Sequence, residues 1–165
     1  MLTIFVILEL LRSLSVPPWS YYLNQWLLIF LDGQDSTQLI LTPILLNVGI
    51  FLPIIFSPVD TFTYALKPYH FAGIATVGVG DAFAAIIGSR FGRTPWPTSK
   101  RKTIEGSLAM FLSQMIFLAP FAYYDPYPPI MSIRILISSL LSSIVEAHLT
   151  RGDNLILPLL SYFIL

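Results

Sequence analysis

Hydrophobic residues run in blocks along this chain, and the polar residues gather in the gaps between them. Leu39–Ser57, His70–Ser89, Gly106–Ala122 and Ile130–Leu149 each approach the roughly 20 apolar residues that a helix needs to cross a bilayer. Met1–Leu14 is also apolar, carries Glu9 and Arg12 near its end, and is followed by Pro17-Pro18, where the missing backbone donors stop a helix. It lacks the basic leader and small-residue cleavage site of a secretory signal, which makes it a further membrane helix. Trp19–Leu31 mixes Tyr21, Tyr22 and Trp26 with Asn24 and Gln25, a composition suited to the headgroup level or to a short amphipathic helix. Pro43 and Pro53 predict kinks in the Leu39–Ser57 span, and Leu155–Leu165 is too short to cross alone. The expected fold class is all-α: a polytopic transmembrane helical bundle of about five to six hydrophobic helices, with residues 1–165 forming a single membrane domain.

Composition agrees with this pattern. Hydrophobic residues make up 55% of the 165 positions and charged residues 11%, at a mean hydropathy of +0.75. Soluble domains carry about 25% charged residues, so too few groups remain here to cover a water-facing surface. With no cysteine, disulfides and thiolate metal sites are excluded. The formal net charge is zero, but its distribution is uneven. If the spans alternate in direction, Arg12, Arg90, Arg93, Lys100, Arg101, Lys102 and Arg151 share one side, with Lys67 and Arg134 on the other. Basic residues are retained in the cytoplasm, so the first side is cytoplasmic. Asp32, Asp35, Glu105 and Asp153 fall on that same face, and the segments holding Asp81 and Glu146 approach it.

The polar stretch Arg90–Glu105 is the richest in candidate chemistry. Five cations lie within thirteen residues, beside the hydroxyls of Thr98, Ser99 and Thr103, and Pro95 and Pro97 stiffen the chain around Trp96. Fixed positive charge and directed hydroxyl or amide donors are what a polyphosphate requires. A positive-inside anchor drawn to anionic headgroups accounts for the same charges. Asp81 interrupts a hydrophobic segment, where an acid costs roughly 2.5–3.5 kcal/mol on insertion scales and is a functional candidate. It follows Gly78-Val79-Gly80, within a run of small residues suited to close helix packing. As a plain packed helix, the segment would use Asp81 only to cap a turn. Gly-Val-Gly-Asp is a weak nucleotide signal, because no strand precedes it. Asp32, Asp35, Glu105, Glu146 and Asp153 could each offer magnesium a hard oxygen, or serve as solvated charges and caps. His70 and His148 show no ligand spacing and read as interfacial residues.

Several ordered segments resemble the dolichol kinases, multi-spanning enzymes that phosphorylate the terminal hydroxyl of dolichol with CTP. They are Asp32-Gly33-Gln34-Asp35-Ser36 with Leu39–Thr42, Gly78–Ala85, Gly92–Pro97, Ser99–Ser107, Glu146-Ala147 and Asp153-Asn154-Leu155. The Lys-Thr-x-Glu-Gly core, here Lys102–Gly106, is similar to that of phytol kinases and phosphatidate cytidylyltransferases as well. Trp96-Pro97 before it and Glu146-Ala147…Asp153-Asn154-Leu155 after it favour the kinases. The family usually reads Lys-Lys-Thr where this chain has Lys100-Arg101-Lys102-Thr103, and its members are generally longer at the N-terminus. The resemblance makes this chain the C-terminal, CTP-binding part of such an architecture.

That resemblance implies phosphoryl transfer from CTP to dolichol or a related polyprenol at the cytoplasmic face of the endoplasmic reticulum membrane, with no nucleic-acid partner. By role, it implies Asp81, Glu105 and Lys102 as catalytic residues, with Asp81 and Glu105 holding Mg. Asp32, Asp35, Lys100, Arg101, Thr103, Gly106, Asp153 and Asn154 would bind the nucleotide. The rival enzymatic reading is a phosphatidate cytidylyltransferase. Outside enzymes, a transporter or a non-catalytic membrane subunit is the alternative, although charges pooled on one face suit a transport path poorly.

Overall fold

The computed structural model describes residues 2–27, 41–58, 67–149 and 152–165. Asp32 and Asp35 lie outside the described residues, as do Asp60, Arg151 and the side chain of Lys100. The chain divides into two compact units, Met1–Val48 and Gly49–Leu165. In the first, helices α1 (Leu2–Ser13) and α2 (Trp19–Leu27) lie on either side of Pro17-Pro18, where the sequence predicts a break. An ion pair between Arg12 and Glu9, at 2.6 Å, is buried in the apolar α1, and Arg12 Nη1 donates to Asn24 Oδ1 of α2 at 3.2 Å. Pairing at one helical turn is what makes two charges tolerable there.

The helix α3 (Thr42–Phe56) leads into the second unit. Beyond it, a short 3-10 turn (Pro68–Phe71) precedes a continuous helix, Ile74–Phe91. Its first part, Ile74–Asp81, is π-helical, and its second, α4, spans Ala82–Phe91. A two-stranded antiparallel hairpin follows, β1 (Pro95–Trp96) with β2 (Ser99–Thr103). Three helices complete the chain: α5 (Ile104–Tyr123), α6 (Pro128–His148) and α7 (Asp153–Ile164). Among the described residues the structure is thus all-α apart from one hairpin. Ile74–Phe91, α5 and α6 are long and apolar enough to cross a membrane, while α3 and α7 are shorter apolar helices.

The packing is that of a protein whose solvent is lipid. On α5, Leu108, Leu112 and Ile116 recur at four-residue intervals on an exposed stripe, whereas Ser107, Met110, Ser113 and Gln114 are buried. On α6, Ile133, Ile137, Leu140, Leu141 and Ile144 are exposed, and Ser138, Ser139, Ser142 and Ser143 face inward. Lipid tails give no hydrophobic drive for helix association, so small residues and interhelical hydrogen bonds hold such bundles together. Ser142 Oγ donates to Gln114 Oε1 at 2.8 Å, and the hydroxyls of Ser138 and Ser161 meet at 2.6 Å, joining α6 to α5 and α7. An apolar cluster of Ala72, Ala75, Leu118, Ala122, Met131, Ile135 and Leu165 fills the remaining core.

Proline and glycine mark the closest approaches. Pro53 offers no amide to the carbonyl of Gly49, and a Cβ at Gly73 would lie 2.5 Å from that oxygen. A side chain at Gly80 would meet the Gln114 amide nitrogen. The π-helix therefore presents bare backbone to α5 directly before Asp81. Replacing Gly80 with Val should lower unfolding stability in detergent by about 1–3 kcal/mol, the usual cost of overpacking. Unchanged thermal unfolding would show that the two helices do not meet so closely.

Candidate functional site

Three elements converge at the end of the bundle where Ile74–Phe91 passes into the hairpin. Helix α4 meets α5 through small residues: a Cβ on Gly88 would sit 3.1 Å from Thr103 Oγ1 and 3.6 Å from the Cα of Gly106. Thr103 ends β2 in an extended conformation and caps α5, its Oγ1 accepting the Gly106 amide at 3.2 Å. Such a cap satisfies one of the four orphan donors of the helix start. The chain thus leaves the hairpin and enters α5 within a single residue, and the hairpin is held against the α4–α5 crossing.

A cleft of about 230 Å³ opens at this junction. Asp81, Ala84, Ala85, Gly88 and Ser89 form the wall from the first helix. Arg101, Lys102 and Thr103 come from β2, Gly106 and Ser107 from α5, and Glu146 from α6. Asp81 is half-buried at the boundary between π-helix and α4. An i→i+5 segment turns the residues after it relative to an α-helix, and such segments are frequent at functional sites.

Lys102 joins the hairpin to the far side of the bundle. Its Nζ lies 2.8 Å from Glu146 Oε1, 2.6 Å from the Glu146 carbonyl oxygen and 3.5 Å from Asp153 Oδ2. The Glu146 side chain is 8% exposed and that of Asp153 15%, so these charges are shielded from water. Gly152, with φ 75°, takes the left-handed conformation that glycine adopts readily and starts α7 with Asp153 in its first turn. Asn154 follows, its amide donating to Asp153 Oδ1 at 3.1 Å.

Two further residues, Trp96 and Glu105, brace the hairpin. The Trp96 indole donates to Ser107 Oγ at 3.0 Å, and its ring lies 5.5 Å from that of His148 at the end of α6. Glu105 turns back to the residue before β1, its carboxylate accepting the Thr94 amide at 3.1 and 3.2 Å and the Thr94 hydroxyl at 3.0 Å.

Among the sequence candidates, the structure brings Asp81, Arg101, Lys102, Thr103, Gly106 and Glu146 into one cleft. Asp153 stands behind them through Lys102, Asn154 is its neighbour, and Glu105 contacts Thr94 rather than lining the cleft. No cluster of three or more histidine or acidic residues placed to hold a metal occurs among the described residues. Sequence reasoning missed Ser107, His148 and the serines of α6. The signal for the last was present in Ser138-Ser139-Leu140-Leu141-Ser142-Ser143, whose spacing puts four hydroxyls on one helical face.

Comparison with known proteins adds to this geometry. Over 165 residues the chain is 37% identical to dolichol kinase of Mus musculus, covering 96% of this chain and 31% of that protein. It is 38% identical over 167 residues to dolichol kinase of Homo sapiens, covering 96% and 30%. A more distant likeness, 33% over 105 residues, reaches the chloroplastic farnesol kinase of Arabidopsis thaliana, with 58% of this chain and 34% of that one. The chain therefore spans less than a third of the length of the dolichol kinases it matches. No family model matches it, and neither does any solved structure.

Trp96→Phe retains a ring against His148 but loses the indole donor, and should destabilise the hairpin by about 1 kcal/mol. Trp96→Ala, which loses both contacts, should expose the hairpin to proteases more strongly than Trp96→Phe does. Equal cleavage of the two variants and the parent chain would contradict the bracing role.

Proposed function

We propose that this chain, a relative of the dolichol kinases over 96% of its length, forms the CTP-binding part of a lipid kinase that phosphorylates a polyprenol of the dolichol class. The observation that carries the reading is the meeting of Asp81, Arg101, Thr103 and Gly106 in one cleft at the mouth of a membrane bundle. A polyprenol is confined to the bilayer and a nucleoside triphosphate to water. Their reacting ends can meet only at an interface, and the cleft opens where the spanning helices give way to the polar hairpin. In this reading the face is cytoplasmic, by the distribution of basic residues, and the membrane is that of the endoplasmic reticulum.

The roles follow from side-chain chemistry. Arg101 offers fork-shaped donors suited to phosphate oxygens, and Lys100 on the same strand adds charge. The hydroxyls of Ser89, Thr103 and Ser107 offer directed hydrogen bonds at the cleft wall. Asp32 and Asp35 remain candidates for the nucleotide shell, with Asp153 and Asn154 behind the cleft. Glu105 sets the hairpin by gripping Thr94.

Magnesium ordinarily takes one or two carboxylates, several waters and phosphate oxygens. Asp81 in the cleft meets that need with the triphosphate, so the donor set fits, and bound there the ion would neutralise phosphate charge. In the transfer, the alcohol oxygen bonds to the γ-phosphorus as the bond from that phosphorus to the β–γ bridging oxygen breaks. CDP leaves with the electron pair, and the hydroxyl proton passes to water. Such reactions depend almost wholly on positioning and charge stabilisation, which a rigid cleft supplies.

The test supplies a membrane preparation of the chain with dolichol, magnesium and CTP labelled at either the γ- or the α-phosphorus. Label from the γ position should enter the lipid. Label from the α position alone would instead identify a cytidylyltransferase. Asp81→Asn and Arg101→Gln should each lower transfer by about 100-fold or more, in the range lost when one charge-stabilising group is removed. Parental rates in both variants would remove the cleft from the reaction.

A further inference from the structure

Lys102 sits in the cleft, and the acceptors around its ammonium are groups of the protein itself. An ammonium group has three N–H donors and no acceptor. Three acceptors surround this one: Glu146 Oε1 at 2.8 Å, the Glu146 carbonyl at 2.6 Å and Asp153 Oδ2 at 3.5 Å. All three belong to the end of α6 and the start of α7, while Lys102 belongs to β2. A cation gripping a nucleotide phosphate would need at least one donor aimed at the ligand.

The geometry points to Lys102 as a positioning residue, one that ties the hairpin to α6 and α7 and so sets the cleft, rather than one that touches the phosphates. The neighbouring Arg101, also lining the cleft, then carries the phosphate-directed charge. Arg101 and Lys102 both line the cleft, and of the two it is Lys102 whose ammonium meets the ends of α6 and α7. The tie also explains why Glu146 tolerates burial. A carboxylate 8% exposed needs a partner, and removing one member of such a pair leaves an uncompensated charge. The consequence for nucleotide binding rests on the kinase reading above. The tie itself does not.

A thermodynamic cycle separates the two roles. The full chain in detergent is prepared as the parent, Lys102→Gln, Glu146→Gln and the double variant. Thermal unfolding is followed alongside binding of Mg-CTP, measured well below the unfolding temperature. If Lys102 ties the hairpin, Lys102→Gln strands the buried Glu146 charge, lowers the unfolding temperature and weakens CTP binding by roughly ten- to a hundredfold. The double variant, with two neutral amides able to pair, regains most of both losses. If Lys102 instead holds phosphate, the double variant binds CTP no better than Lys102→Gln, and the inference is overturned. Additive thermal effects overturn it equally.

Should Lys102→Gln fail to fold, Glu146→Gln and Asp153→Asn singly and together replace it. Acting through one ammonium, they must weaken CTP binding non-additively, and additive losses refute the tie. A parent chain that binds no Mg-CTP would defeat the kinase reading, leaving the tie to be decided by the thermal cycle alone.

Discussion

The Lys102 ammonium, held between Glu146 and Asp153, is the interaction on which the polar end of this molecule depends. It crosses 44 residues of sequence to reach Glu146 and 51 to reach Asp153. The contact joins a two-stranded hairpin, the end of the long apolar helix α6 and the beginning of the shorter α7. Without it, the hairpin would keep the Thr103 cap, the Glu105–Thr94 contact and the Trp96 contacts to Ser107 and His148, but β2 would lose its ionic link to α6 and α7. With it, residues of α4, β2, α5 and α6 together line one cleft of about 230 Å³. Because these charges are shielded from water, their attraction is weakly screened, and the arrangement is correspondingly rigid.

Below that end, the bundle obeys a different constraint. Lipid rewards no burial of leucine, and the exposed faces of α5 and α6 carry leucine and isoleucine freely. The interior is left to groups that allow close approach or bond across helices: the four serines of α6, Gln114 of α5, Ser161 of α7 and the bare backbone at Gly80. This polar seam runs toward the cleft along the same face of α5 that bears Ser107. The helix contacts that set the bundle therefore also fix the height of α5 beneath Thr103, and through it the placing of the hairpin.

Much of this was legible beforehand, for stated reasons. The spans His70–Ser89, Gly106–Ala122 and Ile130–Leu149 match Ile74–Phe91, α5 and α6 to within a few residues, because twenty apolar residues in a row have few other uses. The convergence of Lys102 with Glu146 and Asp153 on one face followed from counting crossings. The hairpin did not follow. Arg90–Glu105 reads as a stiff loop, since its two prolines and cluster of like charges obscure any alternation, and β1 has only two residues. Nor did the direction of Glu105, because a carboxylate beside a cationic stretch reads as a metal or phosphate partner until Thr94 is seen next to it.

The amino-acid order by itself determined the apolar character of the helices, where the three longest of them lie, and which end of the bundle collects charge. Those properties are sums over many residues, and no single contact alters them. Tertiary structure alone decided which acid meets which base. Lys102 had several carboxylates within reach of its face, and their choice rests on a few ångströms set by the crossing of helices at Gly88 and Gly106. Coulomb attraction between near neighbours is steep in distance, so chemistry at this site is written in packing that no linear pattern records.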